Sequence, residues 1–190
     1  MALKSALPNF PQHLQPPKKL RQPFQQQTMP QYKDRQVSIS AKENISLLSV
    51  HSNRTLTHYG FYARILAIIH DLHIPVGLLL TSDNCVMMAI DTNAISDEVL
   101  CIAQAELRPY SRPAVAGDMV MLSVQITSKE NSSEVLASVF EILSACCIPV
   151  HLISYAADEP IVYCVISQSD MSRAQKTLYS NLRHYFAWWN

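Results

Sequence analysis

A chain of 190 residues, nearly half of them apolar and with a formal net charge of zero, can bury a core as one domain or as two small ones. That charge balance argues against a general nucleic-acid binder, which carries a basic surplus, and no apolar run reaches the roughly eighteen residues of a membrane-spanning helix. Five cysteines without a CxxC pair or a secretory leader suit a reducing, cytoplasmic interior better than a disulfide framework.

Residues 1–43 differ in kind from the rest of the chain. Six of the eleven prolines lie between Pro8 and Pro30, beside the run Gln25-Gln26-Gln27. Such a segment buries too little apolar surface to offset its ordering entropy, so a disordered Pro/Gln-rich tail is expected. It is basic, with no acid before Asp34, which leaves a targeting role open.

From Asn44 the texture becomes that of a folded domain. Residues 45–51 read as a strand, followed by a polar loop over 53–59 that leads into Gly60. Apolar Phe61, Ile65, Ile68, Ile69 and Leu72 share one helical face, and Pro75 ends that helix. Residues 76–80 read as a buried strand and 85–90 as its hairpin partner across Ser82-Asp83-Asn84. A second helix over 95–107 starts at Ser96-Asp97 and stops before Pro109. A strand over 111–116 completes the order β-α-β-β-α-β.

The pattern then repeats. Residues 137–150, ASVFEILSACCIPV, align without a gap on residues 63–76, ARILAIIHDLHIPV, at an offset of 74. A hairpin strand over 161–167, after the turn Asp158-Glu159-Pro160, and a helix from Met171 to about Arg183 continue the second copy. A period this long means duplicated domains rather than a solenoid. The expected architecture is therefore α+β, two ferredoxin-like units in tandem over residues 44–117 and 118–190, with helices on one face of an antiparallel sheet.

The two copies are not equivalent. Gly60 aligns with Glu134, and the polar loop before Gly60 has no good match in the second copy. A glycine at a helix entry permits a sharp turn and leaves backbone N–H groups outward, a ready anion site that suits a free carboxylate. Only the first copy is so equipped.

At this point the residues resemble a known family. The loop-to-helix entry THYGFYARI, the strand IPVGLLLTSD and, in the second copy, Ile153 to Ile161 are similar to the tandem ACT domains of aspartokinases. The resemblance runs from about Ile45 to Arg183. It implies a region that binds a pathway amino acid and regulates an attached kinase, with ligand contacts at Gly60, Phe61 and Tyr62, at Val76 and at Ser82. In that comparison the backbone N–H groups of 60–62 hold the carboxylate, and the Ser82 hydroxyl takes a polar contact. Gly77 stands where the family carries an aspartate for the ligand's ammonium, and Pro75 where a serine is usual. Nothing in residues 1–44 resembles the family's phosphate-binding kinase domain. Stand-alone chains of this type are found in fungal loline-alkaloid clusters, and this chain resembles one of them.

What the residues do not offer also narrows the reading. There is no Gly-rich phosphate loop, GxSxG, HExxH or zinc-type cysteine spacing, so neither an enzyme nor a bound metal or cofactor is expected. His70 and His73 flank Asp71 without a third ligand and read as solvent-facing or partly packed. Cys146-Cys147 read as buried small hydrophobes. Trp188-Trp189 read as a tail docked on the core or as a partner-binding handle. The function expected is non-catalytic amino-acid binding by a homodimer. The alternative is an interaction subunit that has lost its ligand and pairs with a metabolic enzyme such as a full-length aspartokinase. Neither nucleic acid nor membrane is an expected partner.

Overall fold

The computed structural model describes residues 36–127, 132–155 and 161–185. The order of elements is β1 (Gln36–Ser52), α1 (His58–Asp71), β2 (Val76–Ser82), β3 (Cys85–Asp91), α2 (Asp97–Leu107), β4 (Ser111–Thr127), α3 (Ser132–Ala145), β5 (Leu152–Tyr155), β6 (Ile161–Ser167) and α4 (Met171–Tyr185). All six strands join one antiparallel sheet in the order β2-β3-β1-β4-β6-β5.

The expected βαββαβ plan is present twice, but the two copies share their long strands. β1 and β4 are each 17 residues long and pair with one another from Gln36↔Thr127 to Ser52↔Ser111. The later part of β1 also pairs with β3 (Ile45↔Asp91 to His51↔Cys85), and the later part of β4 pairs with β6 (Met119↔Ser167 to Gln125↔Ile161). The first repeat is thus closed by residues 111–116 of β4, whereas the second borrows residues 36–42 of β1 as its outer strand. Two expectations are corrected here. Residues 36–43 belong to a strand and not to a disordered tail, and the boundary between 117 and 118 falls inside β4. Residues 1–35, the 158–160 turn and Trp188-Trp189 lie outside the described residues.

Each long strand changes owner at a left-handed residue. Asn44 (φ 57°) and Asp118 (φ 52°) stand at the two bends, and the β1–β4 register shifts on both sides of Ile45. Asparagine and aspartate tolerate this region better than other side-chain-bearing residues. Asn44 and Asp118 are 74 residues apart, the offset of the sequence repeat. The same offset joins His73 and Cys147, both at φ 53°. Each ends its helix in the same way: His73 N–H donates to His70 O and Ile74 N–H to Ile69 O, while Cys147 N–H donates to Ser144 O and Ile148 N–H to Leu143 O. This paired capping usually employs glycine. Cys147 is exposed and Cys146 half-buried, so the reading of both as buried hydrophobes is corrected.

Alternation along the strands builds three cores. Leu48 and Val50 of β1 face α1 and α2, together with Val86, Met88 and Ile90 of β3. Val120, Leu122, Val124 and Ile126 of β4 face α3 and α4 in the second repeat. On the opposite sheet face, Ile45, Leu47 and Ala89 of the first repeat meet Met119, Leu152 and Val165 of the second. This third cluster locks the repeats together beneath their helices.

The shared strands have two measurable effects. Val37 and Ile39 pack against the second core, and burying such a side chain contributes about 1.5–3 kcal/mol. A chain beginning at Asn44 should therefore melt roughly 10 °C below one beginning at Gln36; equal melting temperatures by calorimetry would refute the borrowed strand. The second effect concerns pH. The Lys42 ammonium lies 2.8 Å from Asp91, and its hydrogen bond, with that from the Asn93 N–H, holds the Asp91 carboxyl below its ordinary value. A carboxyl lowered in the folded state contributes stability above about pH 4, lost as pH falls through the folded value. Lys42→Met should cost at most about 1 kcal/mol at neutral pH, because the pair is partly exposed, and nothing once Asp91 is protonated, as urea titrations at both pH values will read.

Candidate functional site

The polar loop before α1 is an organised segment. The Asn53 Oδ1 accepts from the Thr55 N–H at 3.1 Å and from its hydroxyl at 2.7 Å. The Asn53 Nδ2 donates to the Pro109 carbonyl at 2.9 Å, and its N–H donates to the Tyr110 carbonyl at 3.1 Å. One asparagine thus turns the loop and pins it to the segment between α2 and β4.

Thr57 then starts the helix. Its hydroxyl accepts from the Gly60 N–H at 3.4 Å and its carbonyl from the Phe61 N–H at 2.8 Å. Gly60 is therefore the third residue of α1 rather than the turn before it, and its φ is not positive. A Cβ added there would stand 3.0 Å from the Thr57 Oγ1, so the missing side chain makes room for the cap. The expectation that the N–H groups of 60–62 point outward is corrected. Gly60 and Phe61 give theirs to Thr57, and Tyr62 lies beyond the first turn, where N–H groups bond within the helix.

The five residues picked out by sequence separate into distinct places. Phe61 is a core side chain, 1% exposed. Tyr62 is half-buried, and its hydroxyl donates to the Ser82 carbonyl at the end of β2. The same hydroxyl lies 3.2 Å from the His58 Nε2, with the two rings edge-to-face at 4.7 Å. Tyr62, Ser82 and His58 are thus brought together, while Gly60, two residues from each of the helical pair, lies on the other side of α1. Val76 is not: it opens β2, opposite Ile90, about 20 Å from Ser82 at the strand rise of ~3.3 Å per residue. Gly77 beside it sits at a register shift between Val76 and Leu78. A Cβ there would meet only Ala89 O at 3.6 Å and the Met121 methyl at 4.0 Å. Both are ordinary contacts, so the backbone does not demand glycine at that position.

On the other flank of α1 lies an open groove of about 640 Å³, lined by Leu56, Gly60, Ala63, Arg64, Ala67 and Tyr110. The Arg64 guanidinium carbon lies 5.1 Å from the centre of the Tyr110 ring. Sequence reasoning missed Arg64 and Tyr110, which no short motif connects, and it missed the Thr57 cap, for which threonine at the start of an apolar helical pattern was a readable signal.

Two of the thiols are held protonated by burial. Burial raises the Cys85 thiol, beside His51 at 3.8 Å, and pushes Cys164 up to about 12. Among the described residues no three His, Cys, Asp or Glu side chains gather as a metal cluster, and no helix is long and apolar enough to cross a membrane.

With this geometry in place, comparison with known proteins agrees on one class. Residues 129–182, within the second repeat, match the family model for the ACT domain. The aspartate kinase FUB3 of Gibberella fujikuroi is 27% identical over 145 residues, covering 76% of this chain and 28% of that protein. The chain thus spans little more than a quarter of the length of the curated relatives it matches. A putative C-terminal regulatory domain of aspartate kinase from Porphyromonas gingivalis superposes with a TM-score of 0.65 at 23% identity, covering 76% of this chain and 95% of that one. Escherichia coli aspartokinase III, solved in complex with lysine and aspartate, gives 0.64 at 25% identity, covering 76% and 32%. The second repeat thus matches the ACT domain model, and over 76% of its length the chain resembles aspartokinases in sequence and in fold.

The local architecture makes two measurable demands. Tyr62→Phe removes the tie between α1 and β2, and Thr57→Ala removes the helix cap. Each should cost about 1 kcal/mol, or 2–4 °C in melting temperature. A Thr57→Ala chain that melts like the parent would remove the cap as the reason for glycine at position 60.

Proposed function

We propose that this chain is a non-catalytic regulatory module that binds an amino acid beside α1 of the first repeat. The observation that carries the reading is the Tyr62–Ser82 hydrogen bond, which ties the helix entry to the end of an edge strand. Aspartokinase III, a relative by fold, was solved with lysine and aspartate. An aspartate-family amino acid is accordingly the proposed ligand, in a cytoplasmic protein. The setting in loline-type alkaloid synthesis rests on the sequence resemblance alone.

The proposed ligand region comprises Gly60, Phe61, Tyr62, Val76 and Ser82. Phe61 anchors the helix from within the core, and Val76 is contributed by a second copy. The second copy has a physical motive. β2 is an edge of the sheet, and Val76, Leu79 and Leu80 on it, with Leu66 on α1, are exposed. Uncovered apolar edges invite pairing. Antiparallel pairing of two β2 edges about a two-fold axis sets the start of each strand against the end of the other. That arrangement brings Val76 of one copy toward Ser82 of the other.

Gly77 favours a second reading, because it lacks the carboxylate that would meet a ligand's ammonium. In that case the chain is an interaction subunit for a metabolic enzyme, a full-length aspartokinase among the candidates.

Melting curves with lysine, threonine, aspartate and proline separate the two. A bound amino acid at a hundredfold excess over its Kd should raise the melting temperature by about 5–10 °C. No rise with any of them at millimolar concentration overturns the first reading. Light scattering should give twice the chain mass, and Leu80→Lys on the β2 edge should give the monomer.

A further inference from the structure

We propose that the groove between α1 and Tyr110 is a second binding site, for a small carboxylic acid with an apolar body and no ammonium group. It lies on the opposite flank of α1 from the Tyr62–Ser82 tie and does not depend on it.

The chemistry of the lining selects the ligand. Leu56, Gly60, Ala63 and Ala67 are apolar and mostly small, and among the described residues lining the groove Arg64 is the one charged group and none is an acid. Among the described residues Arg64 makes no ion pair and no hydrogen bond to a side chain; its partner is the Tyr110 ring. A guanidinium laid on an aromatic face keeps its in-plane N–H donors free, and those donors match the two oxygens of a carboxylate. With no acid among these lining residues, an ammonium group on the ligand would find no counter-charge there. The groove of about 640 Å³ is open to solvent, and its small side chains leave room for an aliphatic or aromatic body to lie along it.

Both walls are held in place without a ligand. Tyr110 packs on the first core, as does Leu56, and Asn53 bonds to the Pro109 and Tyr110 carbonyls. The groove is also particular to the first repeat. At the offset of 74, Arg64 is matched by the buried Ser138 and Ala67 by Glu141, so the second repeat has no cation at that position and an acid one turn on.

The chain's three glycines make a direct test. Protein labelled only with [15N]glycine gives three amide signals, and Gly77→Ala and Gly117→Ala, where a Cβ meets no close neighbour, identify the remaining one as Gly60. Titration of the full chain with 4-methylpentanoate and with phenylacetate should move the Gly60 signal and leave Gly77 and Gly117 in place. The corresponding carboxamides should not move it. Arg64→Met, which keeps the apolar stem, should weaken the response at least tenfold while leaving any response to lysine or aspartate at the Tyr62–Ser82 flank intact. The proposal is overturned if neither acid moves Gly60 at tens of millimolar, if the carboxamides act as well as the acids, or if Arg64→Met responds like the parent.

Discussion

The fold depends on the pairing of β1 with β4 along their whole length. Neither repeat can complete its four-stranded sheet without both strands, because each strand serves one repeat before its bend and the other after it. The bends need residues that accept left-handed backbone, and Asn44 and Asp118 supply them. Cluster contacts from Ile45, Ala89, Leu152 and Val165 then fill the space behind the bends. The two repeats are therefore joined by continuous backbone and a shared core.

The helix entry of the first repeat shows how a few polar contacts can define a surface. Asn53 fixes the loop, Thr57 fixes the start of α1, and Tyr62 fixes the end of β2. None of these bonds is worth much alone in an exposed setting. Together they hold both flanks of one helix, and the glycine at position 60 leaves room for the Thr57 cap on one side of it.

Much of this was legible in the sequence because the signals were local. The apolar spacing of Phe61, Ile65, Ile68 and Ile69 and the gapless repeat at 74 residues identified the helices and the duplication. The exchanged strands were not legible, for a physical reason. Val37, Ile39 and Ala41 alternate as a strand should, and so do Val120, Leu122, Val124 and Ile126. The first set adjoins a Pro/Gln-rich segment whose composition masks it, and strand pairing over such a sequence distance leaves no local mark. The site was half legible. Of the residues the resemblance pointed to, Tyr62 and Ser82 touch, whereas Val76 lies at the far end of its strand. Arg64 and Tyr110 meet across a long sequence distance, where the Asn53 loop before α1 is tied to the segment between α2 and β4.

The strand exchange also sets an order of events during synthesis. Residues 36–42 are made before the first repeat, yet their partners at 121–127 are made only after the whole of that repeat has emerged. Until then that segment is a strand without a sheet, carrying Val37 and Ile39 uncovered beside a first repeat that already has most of its own strands. The second repeat, made last, has its missing strand already waiting. Closing so distant a contact is entropically slow, and a second chain folding nearby offers the same strand. The exchange that welds one molecule together is thus also the step at which two nascent chains can become entangled.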